Sequence, residues 1–212
     1  MRKYLENYEK YKNMKVIRLN TNPNLYSSNS YLILGTWNKL EDVNALVDTG
    51  SDDYIINEIE RTNKGVGKRP LEKVLLTHTH FDHIGALKEL KKKYSAEVLS
   101  YIKVPGVDRL LTDNEMIRLG DDYFQIIHSP GHSSDSICIY CAGEKILFTG
   151  DTSIRVYSKD STYTDEYIET IEKLAKLKVN IVYPGHGEPI SENPQSIIAN
   201  TLSILKGNSV YQ

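Results

Sequence analysis

The chain has 212 residues, a net charge of −2 and only two cysteines. That length is ample for a sizeable core, and the near balance of charge gives no electrostatic case for nucleic acid or an anionic membrane as partner. No apolar run approaches the roughly 20 residues needed to cross a bilayer, and the amino-terminal residues alternate charge and tyrosine without a hydrophobic signal core, so a cytoplasmic protein is expected.

Taken in order, residues 1–13 read as a polar lead-in to one domain spanning 1–212. Met14 to Leu19 alternates as a strand, Asn20 to Ser28 is a loop, and Ser30 to Leu34 is a second strand. A turn over Gly35 to Lys39 leads to a third strand, Ala45-Leu46-Val47, ending in Asp48-Thr49-Gly50. A helical pattern follows from Tyr54 to Ile59, then a loop from Lys64 to Pro70. The short apolar run Val74-Leu75-Leu76 feeds Thr77-His78-Thr79-His80-Phe81-Asp82-His83, after which one lysine-rich helix is expected to run to about Tyr94. Strands are predicted over Glu97–Tyr101, Tyr123–His128, Ser136–Tyr140 and 146–148, with a turn at Gly120-Asp121-Asp122. Thr164 opens an amphipathic helix through Leu177. A last strand, Asn180 to Tyr183, precedes Pro184-Gly185-His186-Gly187, and a helix from Pro194 to Lys206 follows.

Cys138 and Cys141 form a C-x-x-C inside a strand pattern. Positions three apart on a strand face opposite sides, so a bridge between them would require bending the strand. They read as reduced, structural cysteines. Lys88, Lys91, Lys92 and Lys93 read as a solvated helix face.

One pattern recurs: an apolar strand delivers a polar, ligand-type residue at its edge. It occurs at Asp48, His78, His132, Asp151 and His186, which is how a site is assembled at one rim of a sheet. Three imidazoles and a carboxylate within the six positions from His78 to His83 suit zinc and neighbouring first-row ions. Taken singly, Asp82 could equally cap the following helix, and Asp48 could be a strand-end turn residue.

Together, His78-x-His80-x-Asp82-His83, then His132, Asp151 and His186, resemble the metallo-β-lactamase-fold superfamily, above all its glyoxalase II and lactonase-type hydrolases. The resemblance covers about residues 14–190. It implies an α/β four-layer αβ/βα sandwich, two mixed β-sheets flanked by helices. It also implies two divalent metal ions per chain, zinc in the first instance, with iron or manganese satisfying the same ligands. Carried over by motif, His78, His80 and His132 would bind one ion, Asp82, His83 and His186 the second, and Asp151 would bridge them. Asp48 would hydrogen-bond a ligand histidine, and Asp82 would orient the nucleophile or protonate the leaving group. His128 lies outside the motifs and reads as structural.

The implied chemistry is attack of metal-activated water on a small ester, thioester or lactone, a small-molecule substrate. Asp151 argues against class B β-lactamases, and His80 stands where flavodiiron proteins carry glutamate. Nucleases of this fold carry extra histidine motifs and an arm that have no counterpart here. The 26 residues after His186 (212 − 186) provide one helix, where glyoxalase II has a glutathione-gripping helical domain. Ser133-Ser134-Asp135-Ser136 also departs from that family's usual run. Tyr157 resembles the phenol that some lactonases aim at the substrate carbonyl; as a loop tyrosine it would carry no role. A mononuclear-iron persulfide dioxygenase, with His78, His132 and Asp151 as ligands, and a phosphodiesterase or nuclease of the same fold are the alternative readings.

Overall fold

The computed structural model describes residues 14–36, 39–62, 67–158 and 163–207. The expected lead-in, the middle of the turn at Trp37 and Asn38, and part of the Lys64–Pro70 loop lie outside these. In chain order the elements are β1 (Met14–Arg18), β2 (Tyr31–Gly35), β3 (Ala45–Val47), α1 (Tyr54–Arg61), β4 (Lys73–Leu75), α2 (Phe81–Ile84), α3 (Leu87–Tyr94) and β5 (Glu97–Ser100). Then follow β6 (Arg109–Leu110), β7 (Met116–Leu119), β8 (Asp122–His128), β9 (Ile137–Cys141), β10 (Ile146–Gly150), α4 (Asp165–Ala175), β11 (Ile181–Pro184) and α5 (Pro194–Leu205). None of the described helices is long and apolar enough to cross a membrane.

Two mixed sheets result. The first has the order β1-β2-β3-β4-β5-β6, antiparallel at its first two pairings and parallel from β3 onward. The second has the order β11-β10-β9-β8-β7, with only β10 and β11 parallel. Strand alternation explains the layering. On β2, Tyr31 and Ile33 pack between the sheets with Leu75, Phe124, Ile139 and Phe148. Leu32 and Leu34 point the other way, under Ile55 and Ile59 of α1 and Leu87 and Leu90 of α3. On β9, Ile137 and Ile139 face the central layer, while Cys138 and Tyr140 meet Tyr167, Ile171 and Leu174 of α4. Helices therefore cover both outer faces, giving the four layers expected.

The same alternation separates the two cysteines. Cys141 belongs to the central layer and Cys138 to the outer one, and both are buried free thiols. Burial pushes the Cys138 thiol up to about 11 and the Cys141 thiol up to about 12, which keeps both protonated and unreactive.

Two expectations are corrected. The helix after the histidine cluster is broken into α2 and α3 around Gly85-Ala86. A Cβ at position 85 would stand 2.2 Å from the Ser51 carbonyl oxygen, so the chain there lies against backbone in a way only glycine permits. The short strands β6 and β7 were not bounded in the sequence; β7 pairs with β8 through a tight turn at Gly120, whose φ is +59°. The Thr164 cap is found as predicted, its hydroxyl accepting from the Tyr167 amide at 3.3 Å, though α4 ends at Ala175 rather than Leu177.

Candidate metal centre

Five segments converge at one rim of the sandwich. Asp48 leaves β3 with φ +57°, a left-handed conformation that aspartate tolerates better than most residues. His78 and His80 follow β4, and Asp82 and His83 lie on α2. His132 is on the β8–β9 loop, and Asp151 and His186 follow β10 and β11. A register shift between Phe148 and Gly150 in the β10–β11 pairing turns the chain at Asp151. Gly185 lies so close that a Cβ there would stand 2.2 Å from Asp151 Oδ1.

The donor atoms form three overlapping groups, each with its atoms within 4.8 Å of one another: His78, His80 and His132; His78, His83 and Asp151; Asp82, His83 and His186. His132 Nε2 is 3.0 Å from His80 Nδ1. His186 Nε2 is 3.1 Å from Asp82 Oδ2. Asp151 reaches both ends: Oδ1 lies 3.2 Å from His83 Nε2, while Oδ2 lies 3.5 Å from His186 Nε2 and 3.6 Å from His132 Nε2. All seven residues singled out in the sequence as ligands are thus gathered, with Asp151 between the two outer groups.

Hydrogen bonds fix which imidazole nitrogens face the cluster. Asp48 Oδ2 accepts from His83 Nδ1 at 2.8 Å and from the Thr77 hydroxyl at 2.8 Å, while Oδ1 accepts from the Thr77 amide at 2.8 Å. With its single proton committed to Asp48, Thr77 Oγ1 accepts from His78 Nδ1, 3.2 Å away. Both rings are left with Nε2 facing the other donors. His78 Nε2, His83 Nε2 and Asp151 Oδ1 are buried without a properly aligned hydrogen-bond partner, the His83–Asp151 contact being close but misdirected. Leaving such atoms unsatisfied costs about 1–3 kcal/mol each, and a cation shared by their lone pairs removes that cost. The donor set, all imidazole and carboxylate, fits zinc, iron or manganese.

Without a cation the charges sort themselves. Burial, helped by the neighbouring His83 charge, pushes His78 down to about 4. Burial opposes protonation of His83 too, but the Asp48 and Asp151 carboxylates outweigh it and hold His83 up to about 10. Burial likewise works against ionised Asp151, yet His186 and His83 keep its carboxyl well below the usual range. In chelator-stripped protein, a histidine-resolved NMR titration is therefore expected to find His83 still protonated at pH 8 and His78 neutral. The raised pKa of His83 contributes stability that is complete below about 6.5 and fades as pH rises through about 10. The lowered pKa of His78 acts oppositely, removing stability as pH falls from about 6.5 towards about 4. Metal uptake must displace the His83 proton and so should tighten as pH rises over the first of these windows.

Three contributors escaped the sequence reading. Thr77 connects Asp48 to both His78 and His83. Asp135, buried on the β8–β9 loop, accepts from Thr79 Oγ1 at 2.8 Å and from Ser133 Oγ at 2.7 Å. It thereby ties the His78-Thr79-His80 segment to the residue after His132, and the Ser-Ser-Asp-Ser departure noted in the sequence is the signal that could have revealed it. Asp135→Ala is expected to lower zinc affinity about 10-fold while stability falls by about 1–2 kcal/mol. A competition titration with a chromogenic chelator and thermal melts check both. The third is Tyr26, whose ring stacks on His186 at 5.0 Å.

Tyr157 is 83% exposed. His128 serves packing: it stacks on Tyr101 at 4.0 Å, and its Nε2 pairs with the Ser134 carbonyl at 2.9 Å.

Comparison with known proteins places this arrangement. The sequence profile of the metallo-beta-lactamase superfamily matches residues 23–104 and 98–186. A hydroxyacylglutathione hydrolase of Pelagibacter ubique (strain HTCC1062) is 31% identical over 83% of this chain and 73% of its own length. An atrochrysone carboxyl ACP thioesterase of Aspergillus fumigatus is 28% identical over 82% of this chain and 55% of its own. The chain spans between about half and three quarters of the length of such curated relatives. Among solved structures, ETHE1 from Myxococcus xanthus superposes with a TM-score of 0.68 at 22% identity, covering 90% of this chain and 83% of that one, and so shares the fold. The chain belongs to the metallo-β-lactamase superfamily.

Proposed function

We propose that the protein is a metal-dependent hydrolase of a small ester, thioester or lactone, with His78, His80 and His132 holding one divalent ion, Asp82, His83 and His186 a second, and Asp151 between them. The observation that carries this reading is the pair of separate donor triads joined by one carboxylate that comes within 3.6 Å of His132 and 3.5 Å of His186. Such a pair of ions supplies Lewis-acid activation of water and of a carbonyl oxygen.

The chain's own part is to place and hold protons. Asp48 keeps the His83 proton on Nδ1, so that Nε2 faces the site. Thr77 does the same for His78. Asp82, buried with Oδ2 beside His186, is the carboxylate placed to orient an attacking water or to pass a proton to the leaving group. The names of the two relatives, a hydroxyacylglutathione hydrolase and an ACP thioesterase, favour a thioester. A mononuclear iron site built from His78, His132 and Asp151 would leave the complete triad of Asp82, His83 and His186 without employment, which weighs against the dioxygenase reading.

The test couples metal quantification to a panel of thioesters, lactones, phosphodiesters and a glutathione persulfide. Two zinc ions per chain with thioester or lactone turnover support the proposal. One iron per chain with oxygen consumption on the persulfide overturns it.

A further inference from the structure

The loop between β1 and β2 is fastened over the rim of the site. Ser28 donates from both its amide (3.3 Å) and its hydroxyl (2.8 Å) to the Asp82 carbonyl. The Asn29 amide donates to the Gly185 carbonyl at 2.6 Å. Ser51 Oγ donates to the Tyr26 carbonyl at 2.6 Å, and the Ser51 amide donates to Ser27 Oγ at 3.0 Å. The backbone around Tyr26 is thus held to both ligand-bearing segments of the second triad. The Tyr26 side chain is nonetheless 68% exposed, with its ring lying on His186 at an interplanar angle of 21°.

Its hydroxyl is 3.3 Å from His186 Nε2. That nitrogen is the one turned towards Asp82 and Asp151. If His186 binds a cation, the Nε2 lone pair is spent on it. The phenol then has no other acceptor among the described residues, while its O–H remains at the open edge of the cluster. A hydrogen-bond donor fixed in place, exposed and lacking a protein partner is equipped to meet an incoming oxygen.

Building on the hydrolase reading, the geometry points to Tyr26 as a substrate-contacting residue that donates a hydrogen bond to an acyl oxygen, the carbonyl of the substrate and the carboxylate of the product, seated beside His186. The ring stack sets the direction of the phenol before the ligand arrives, so little side-chain freedom is lost on binding.

Tyr26→Phe keeps the stack and removes only the hydroxyl. Zinc-loaded wild type and variant are titrated calorimetrically with butyrate, a small acyl carboxylate. The variant is expected to hold as much zinc and melt at the same temperature, yet to bind butyrate about 10-fold more weakly, the worth of one hydrogen bond to a charged acceptor. On any substrate found in the panel, kcat/KM should fall by a similar factor. Equal butyrate affinity in the two proteins, failure of the loaded wild type to bind butyrate, or loss of zinc from Tyr26→Phe overturns the assignment. Because the titration needs no turnover, it reads Tyr26 even if the panel refutes the hydrolase reading, and the panel reads the chemistry whatever butyrate does.

Discussion

Asp151→Ala is expected to lower kcat/KM on the best acyl substrate by at least about 10³-fold, equivalent to about 4 kcal/mol of transition-state stabilisation, and to reduce bound metal below two ions per chain. The reason is its central place. Its two oxygens face three imidazoles drawn from both outer triads, and among the described residues it is the carboxylate paired with His132. Removing it takes from His83 and His186 one of the charges that raise their proton affinity and leaves the two triads unconnected. The substitution creates no steric problem, since the change only removes atoms. The variant should therefore fold, which circular dichroism would establish before metal content is measured by plasma mass spectrometry. Wild-type turnover with two ions bound would show that Asp151 is not shared between them.

The seven gathered residues were legible in the sequence because most stand at a strand edge or on a glycine-bearing turn, and strand-end chemistry survives whatever the sheets do elsewhere. Pairs such as Gly150 with Asp151 and Gly185 with His186 also explain themselves once a Cβ is imagined at the glycine: it would collide with Thr77 Oγ1 at 2.4 Å in the first case and with Asp151 at 2.2 Å in the second. The opposed faces of Cys138 and Cys141 followed from the two-residue period of a strand. Tyr26 was not legible, and Asp135 showed only as an unexplained departure within the Ser133-Ser134-Asp135-Ser136 run. Neither belongs to a motif, and their partners lie 160 and 56 residues away, respectively, so only the folded arrangement brings them to the site. The break between α2 and α3 was hidden for a similar reason: periodicity runs through Gly85, and the contact with Ser51 that demands glycine is remote in sequence. The strands β6 and β7 are short, and Arg109-Leu110 offers no alternation to read.

Asp48→Asn is the sharpest test of how protons are placed, and it is expected to weaken zinc binding by about 10- to 100-fold, with turnover falling in parallel. Asparagine has the size of aspartate and tolerates the left-handed φ of +57°, so the backbone need not change. Its amide cannot satisfy the neighbours, however. With the carbonyl oxygen kept on the Thr77 amide, the NH₂ group faces His83 Nδ1, and two donors meet. Relief comes if the His83 proton moves to Nε2, which puts hydrogen where a cation requires a lone pair. Turning the amide over restores the bond to His83 but sets the NH₂ against the buried Thr77 N–H instead. Either way a buried donor goes unmatched, at about 1–3 kcal/mol. The carboxylate's charge is lost as well, so the His83 pKa in stripped protein should drop from about 10, and this shift can be followed by NMR. Wild-type zinc affinity together with an unmoved His83 pKa would reduce Asp48 to a turn residue at the end of β3. A fallen pKa with weakened binding would instead make the Asp48–His83 pair the element that sets which imidazole face the site presents.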